Sequence, residues 1–439
     1  MNDTTITSVR GRRVWDSRGR PTVEAEVILA GGAIGRAIAP TGASKGAAEA
    51  IDLRDGGAAF GGIDVRSAVA SVNAEIATEL RGMDAADQAV IDAALIELDG
   101  TPSKSRLGSN ATIAVSMAVL HAQAGASGLP LWRHLAGNAT VRIPLPEIQV
   151  FGGGVHAARR LDIQDFMIVC PAADSFAQAL DWTAEVYRAA GELMKAAGRL
   201  QGVADEGGYW PAFDSNEEAL DTLVRAIQDA GFSPGDQVAI SLDIAASQLG
   251  RGGLYLLAQD NRRIDTGALI EMLGRWLDAY PIVAIEDPVA EDDPEGFRIM
   301  TRLYGDRCHI IGDDFLVTDA QRITASSADK AVTGVLIKPN QAGTITEAYA
   351  ALQAARSARL ATVASARSGD SEDVTIAHLA VGWNTDLIKV GSFTRSERMA
   401  KWNECLRIEE AMGQEARFAG WSALARADAA QPLQENIRP

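Results

Sequence analysis

Five charged residues punctuate apolar runs in the second half of the chain. Asp243 follows VAISL, Glu286 follows IVAI, Asp313 follows HIIG, Lys338 follows GVLI, and Lys389 sits within LIKVGS. Charged side chains at the ends of apolar strands are poor core residues, so a site where those ends meet explains them better. Three converging carboxylates repel one another unless a cation lies between them, and an all-oxygen donor set favours Mg²⁺. Lys338 and Lys389 fall on the far side of the same ring. A lysine crowded by a second cation in a dry site gives up its proton more readily, so one can act as a general base while the other stays a fixed positive charge. The plainer alternative is that each acid caps a helix or pairs with one of these lysines.

Weaker signals surround this set. Asp205-Glu206-Gly207-Gly208 places two acids before a flexible diglycine, and Glu206 is a candidate general acid opposite the lysines. Gly152-Gly153-Gly154-Val155-His156 suits either a backbone cradle for an anion or a plain tight turn. Arg367-Ser368, after TVASA, offers an arginine fork for phosphate or carboxylate. The tryptophans are scattered and read as core or interface.

Repeating elements must position these residues. From about residue 143, LPEIQVF, DFMIVC, QVAISLDI, IVAIEDP, CHIIGDD, GVLIKPN, TVASAR and LIKVGS alternate with longer Ala-rich helical stretches. Glu286, Asp313 and Lys338 recur at roughly 25 residues, the length that one strand and one returning helix use in a β/α barrel. Such barrels carry their sites at the C-terminal strand ends, although a doubly wound sheet has a similar periodicity. Earlier, VWDSRGRPTVEAEVIL suggests two strands around a turn at Gly19, and PTGASKG is a Gly-rich loop over 40–46. Residues 63–127 read as helices broken at Gly100-Thr101-Pro102. The expected fold class is α/β, with an N-terminal α+β domain over 1–136, a TIM-type β/α barrel over 137–420 and a loosely held tail over 421–439.

Composition narrows the partners. The 439 residues carry 41 Lys and Arg against 58 Asp and Glu, a net charge of −17. Nucleic-acid phosphates and anionic lipid repel such a chain, so no nucleic acid and no membrane is expected as a partner. Small anions remain open to a local cluster of cations. No apolar stretch approaches the roughly 20 residues of a membrane span. Cys170, Cys308 and Cys405 are odd in number and far apart, which argues against a disulfide framework or a zinc site. A cytoplasmic protein is expected.

In chain order, DSRGRPTVEAEV, TGASKG, LGSNATIAVSMAV, GGGVHA, QDFMI, DEGG, LDIAAS, IEDP, GDD, KPNQAGTITEA, RSGDSED, IKVGS and RSERMAKWNECLRIEE resemble the motifs of the enolase family. The resemblance runs from about residue 9 to about residue 411. It implies an N-terminal domain capping a modified barrel, two Mg²⁺ ions, small anionic phosphorus-containing substrates and a homodimer or higher homo-oligomer. It also implies roles. Asp243, Glu286 and Asp313 would hold the first Mg²⁺, and Ser44 on a mobile loop would help hold the second. Lys338 would take the proton beside the substrate carboxylate, and Lys389 would bind that carboxylate. Arg367 and Ser368 would hold the phosphate, Glu206 would protonate the leaving hydroxyl, and Gln164, Asp165 and His156 would line the pocket. Pairing a lysine or histidine base with Mg²⁺ is the general pattern of enolase-superfamily sites.

Several positions depart from the family pattern. Where enolases read SHRSGETED, this chain has Ser365-Ala366-Arg367-Ser368-Gly369-Asp370-Ser371-Glu372-Asp373, so alanine stands in place of the active-site histidine. Lys45 replaces a loop threonine, Arg159 adds a cation after His156, Asp165 shortens a glutamate, Gln248-Leu249 alters SEF, and Gly152 replaces an asparagine. Losing an imidazole makes room, and Lys45 and Arg159 near the pocket would neutralise an added carboxylate or phosphonate. These changes are similar to those expected of carboxyphosphonoenolpyruvate synthases, the enolase-like branch of phosphonate antibiotic biosynthesis. That redirected reaction is the first expectation. An ordinary enolase, converting 2-phosphoglycerate to phosphoenolpyruvate and water, is the alternative, and an inactive relative with a binding role is a third.

Overall fold

The computed structural model describes residues 3–425. An antiparallel sheet opens the chain, with β1 (Ile6–Trp15), β2 (Pro21–Leu29) and β3 (Ile34–Ile38) side by side. Gly19 takes a positive φ of 68° in the first turn, a conformation that costs a glycine little. Val23, Ala25 and Val27 alternate onto the covered face and are fully buried. The helix Ser109–Ala126 packs against β2 and β3. At Gly35 a Cβ would lie 1.9 Å from the Ala118 carbonyl oxygen, so the strand meets the helix more closely than any other residue allows.

The eight apolar runs form the eight strands of a closed barrel: β4 (Leu145–Gly152), β5 (Asp165–Val169), β6 (Ala239–Asp243) and, beyond an inserted three-stranded sheet, five more. The inserted strands are β7 (Gly250–Arg251), β8 (Leu254–Leu257) and β9 (Arg262–Asp265). They account for the long interval between Asp243 and Glu286. The barrel then continues through β10 (Ile282–Glu286), β11 (His309–Gly312), β12 (Gly334–Ile337), β13 (Ala361–Ser365) and β14 (Leu387–Ser392). Six outer helices start on Ser175, Ser215, Asp265, Asp293, Asp319 or Thr344, whose side chains accept a backbone N–H of the first turn.

One strand runs against the sequence expectation. β5 is antiparallel to both β4 and β6. The connection from β4 holds a single short turn, Gly154–Ala157, and no crossover helix, which a parallel return needs. The start of β5 therefore lies at the same mouth as the ends of its neighbours, and Asp165 stands in register with Asp243.

The barrel interior is divided. Leu145, Val169, Ala239, Ala284, Ile311, Leu336, Val363 and Leu387 supply one apolar side chain from each strand, and Ala419 and Ala423 pack onto that layer. Above it the interior becomes ionic. The remainder of the expected tail, 426–439, lies outside the described residues. Cys170, Cys308 and Cys405 are all buried. Among the described residues no helix is long and apolar enough to cross a membrane.

Candidate active site

The strand ends converge as their spacing predicts. Asp243 and Glu286 are the last residues of β6 and β10, Asp313 follows β11 and Lys338 follows β12. Lys389 lies within β14, in register with Ser365 and Glu147 on either side. All five side chains are buried. Lys389 Nζ stands 2.9 Å from Asp243 Oδ2, 2.7 Å from Glu286 Oε2 and 3.3 Å from Asp165 Oδ2. Lys338 Nζ pairs with Asp313 Oδ2. In this structure the lysine ammonium groups neutralise the acids, as the plainer sequence reading allowed.

Charge crowding shifts these groups in opposite directions. Glu286 is pushed well above the usual carboxylate range by burial and then by Asp243, against the pull of Lys389. For Asp313 burial acts upward too, but Lys338 and Arg367 outweigh it and the net shift is downward. Burial acts to lower Lys338, yet the Asp313 and Glu286 carboxylates together outweigh it and raise it. The sequence expectation of a lysine that sheds its proton is thus reversed while Asp313 stays its partner, because the nearest charge is an anion.

A second group faces the lysines across the cavity. His156 Nε2 is 3.6 Å from Glu206 Oε1 and 3.9 Å from Asp165 Oδ1. Burial raises Asp165 despite Lys389 and His156, whereas His156, Arg398 and both lysines outweigh burial and lower Glu206. Two neighbouring carboxyls are therefore set apart, one inclined to keep a proton and one to lose it. Gln164 Nε2 donates to Asp243 Oδ2 at 2.8 Å, and Gln149 Nε2 donates to Asp165 Oδ1.

The loop over 40–49 reaches across the mouth and joins the Arg367-Ser368 segment. Thr41 and Gly369 exchange backbone hydrogen bonds of 2.8 Å, and the Ala43 N–H donates to Ser368 Oγ at 2.6 Å. Arg367 forks onto Glu49, with Nη1 3.0 Å from Oε2 and Nη2 3.1 Å from Oε1, and Nη2 also donates to the Ser44 carbonyl at 2.9 Å. A Cβ at Gly42 would fall 2.0 Å from Arg367 Nη2, so only glycine lets the loop lie this close.

Most of the expected residues border one small cavity: Ser44, His156, Gln164, Asp165, Glu206, Asp243, Lys338, Arg367, Ser368 and Lys389, with Ala366 in its wall, while Glu286 and Asp313 pair with Lys389 and Lys338 outside its lining. Two expected cations do not join them. Lys45 turns to Asp52, 2.9 Å away, and Arg159 is exposed with Nη1 donating to the Gln248 carbonyl at 3.1 Å. The Gly152–Gly154 cradle is a tight turn, because the Gly153 and Gly154 N–H groups donate to the Gln164 and Leu161 carbonyls.

The sequence comparisons divide the chain in the same way as its architecture. The model of the enolase C-terminal TIM barrel domain matches residues 140–427, and that of the enolase N-terminal domain matches residues 6–135. The chain belongs to the enolase family. "Enolase 1" of Desulfitobacterium hafniense (strain Y51) is 45% identical over 425 residues, which is 96% of this chain and 97% of that protein. The protein is an enolase-superfamily enzyme, and the family implies dependence on Mg²⁺.

The enolase ring fits such an ion on its own chemistry. Its donors are buried carboxylate oxygens, and Glu286 Oε1 has no hydrogen-bond partner among the described residues. Several residues around it lie outside the set that the strand-end spacing points to. Asp287 accepts the backbone N–H groups of Asp313 and Asp314 at 2.9 and 2.8 Å, and so shapes the loop that presents Asp313. Gln341 Nε2 bridges Asp313 Oδ1 at 2.9 Å and Glu49 Oε1 at 3.2 Å. Glu147, buried beside Lys389 as its register partner on β4, accepts the Ser241 hydroxyl. IEDP at Asp287 and KPNQAGTITEA at Gln341 held the available hints.

Proposed function

We propose that this protein is a working enolase that interconverts 2-phosphoglycerate with phosphoenolpyruvate and water. The observation that carries the reading is the convergence of Lys338, Lys389, Asp243, Arg367 and Glu206 on one small cavity, with Glu286 paired to Lys389 and Asp313 to Lys338 beside it. Asp243, Glu286 and Asp313 would hold a first Mg²⁺, and Ser44 would contribute to a second. When bound, Mg²⁺ supplies the positive charge that competes with Lys338 and Lys389 for these acids and offsets charge developing on a carboxylate.

The chain's own residues then divide the work. Lys389 binds the substrate carboxylate, while Arg367 and Ser368 orient the phosphate. Lys338 Nζ takes the proton from the carbon beside the carboxylate, leaving its electron pair on that carbon. That pair forms the new double bond as the C3–O bond breaks, and the departing hydroxyl takes a proton from Glu206, which His156, Arg398 and the lysines otherwise favour in its ionised form and which must be protonated for this step, so one water leaves. His156, with Nε2 3.6 Å from Glu206 Oε1, is the neighbour placed to restore that proton, and Asp165 lies beyond it, 3.9 Å from the same nitrogen. The substrates are small phosphorylated acids, the assembly is a homodimer or larger homo-oligomer, and the protein works in the cytoplasm.

Synthesis of carboxyphosphonoenolpyruvate is the second reading, favoured by Ala366 facing the cavity. Its charge argument has no support here, since Lys45 and Arg159 bind elsewhere. Deuterium exchange at C2 of 2-phosphoglycerate in D₂O with Mg²⁺ tests the first reading. The wild type should exchange, and Lys338→Ala should slow exchange by at least about 100-fold. Equal exchange in both would remove the base assignment.

A further inference from the structure

Ser365 and Ala366 form a wall shared by two cavities. On one side lies the site described above. On the other is a narrow chamber between the N-terminal sheet and the barrel, with room for about two water-sized groups. Ile38 at the end of β3, Met117 in the buried helix and Ile376 and Leu379 in the helix Thr375–Gly382 form its apolar faces.

The polar groups on its border already have partners. The Asp370 carboxylate accepts the Ser371 N–H at 2.8 Å and lies 3.0 Å from Lys401 Nζ. Asp373 accepts the Ile38 N–H at 2.8 Å and the Thr375 N–H at 2.7 Å. Thr375 Oγ1 is 2.7 Å from His121 Nε2, and Asn340 Oδ1 accepts Arg367 Nη1 at 3.2 Å. No Lys, Arg or His lines the chamber among the described residues. An anionic group entering it would find two carboxylates and no counter-charge, whereas a hydrocarbon group would find methyl and methylene surface.

We propose that this chamber is a specificity pocket, and that the chain accepts 2-phosphoglycerate-type acids bearing a small apolar substituent that passes Ala366 and seats against Met117, Ile376 and Leu379. The inference rests on the enolase reading of the main cavity and adds a substrate class to it. Ala366 is the determinant, because its short side chain is what separates the two spaces. The imidazole that the family motif carries at this place would stand between them. The substituent takes no part in the chemistry: the same C–H and C–O bonds break and one water leaves.

The test compares 2-phosphoglycerate with its C3-ethyl homologue on the Mg²⁺-loaded full chain. Calorimetry gives Kd, and phosphorus NMR gives turnover. The homologue should bind about tenfold more tightly than 2-phosphoglycerate, as expected for added methylene contacts in a hydrophobic pocket. Met117→Phe fills the far end of the chamber and should erase that gain while changing 2-phosphoglycerate binding less than twofold. Leu379→Phe, from the opposite face, should do the same and replaces Met117→Phe should that variant not fold. Turnover of 2-phosphoglycerate with rejection of the homologue overturns the chamber and leaves the enolase reading standing. Equal effects of the variants on both ligands also overturn it. Turnover of the homologue alone sustains the chamber and overturns 2-phosphoglycerate as substrate. Failure of both compounds to bind overturns both readings.

Discussion

Lys389 Nζ stands 2.7 Å from Glu286 Oε2 at the bottom of the barrel mouth, with both side chains buried. The ammonium is held well above its ordinary value because Asp243, Glu286, Asp165 and Glu147 together outweigh the burial that acts to lower it. Removing it leaves neighbouring acids without their counter-charge.

Lys389→Met should therefore destabilise the Mg²⁺-free protein by about 3–5 kcal/mol, the usual cost of breaking a buried pair. Saturating Mg²⁺ should restore much of that loss, since the ion supplies charge to the same acids. Denaturant unfolding with and without Mg²⁺ measures both. A loss unaffected by Mg²⁺ would separate Lys389 from the metal ring.

Glu49→Gln keeps the shape of the Arg367 partner and removes its charge. The guanidinium, now bonded bidentately to Glu49, becomes more available to a phosphate. Charge-assisted bonds exceed neutral ones by about 1 kcal/mol, so the Kd for 2-phosphoglycerate should fall roughly fivefold. A higher Kd would mean that Glu49 matters more for seating the loop, through the Gly46 N–H at 3.0 Å.

Acid should weaken the fold through His378. Burial depresses it to about 4, aided by His121 and opposed by Glu404, whose Oε1 lies 3.3 Å away, and by Asp373. The unfolded side chain titrates near 6.5. Below that value the unfolded chain binds a proton that the fold resists. The stability contributed by neutral His378 is complete above about pH 6.5 and is lost as pH falls toward 4, by roughly 3 kcal/mol in all. Unfolding free energies across this window should show a shallower slope in His378→Phe. An unchanged slope would place the acid sensitivity on other groups.

Much of this arrangement is legible in the sequence. Eight apolar runs became the eight barrel strands, and the residues at their ends met because strand ends in a closed barrel have one place to go. The reversal of β5 was not legible, since period and composition are blind to direction and the short return through Gly154–Ala157 decides it. Lys45 and Arg159 show a second limit. A cation near a motif in sequence is drawn to whichever partner the fold offers, here Asp52 and the Gln248 carbonyl. Asp287 and Gln341 act through backbone N–H groups and a neighbouring carboxylate, contacts that single-chain spacing does not encode.

The most direct test of the central claim is phosphorus NMR of the purified protein with Mg²⁺ and 2-phosphoglycerate alone, repeated with phosphonoformate, free or nucleotide-activated. The account predicts phosphoenolpyruvate in the first sample, its loss on chelation of Mg²⁺, and no new phosphorus species when phosphonoformate is added. A silent first sample, with a new species only in the presence of the phosphonate, would contradict it and assign the chain to the redirected reaction.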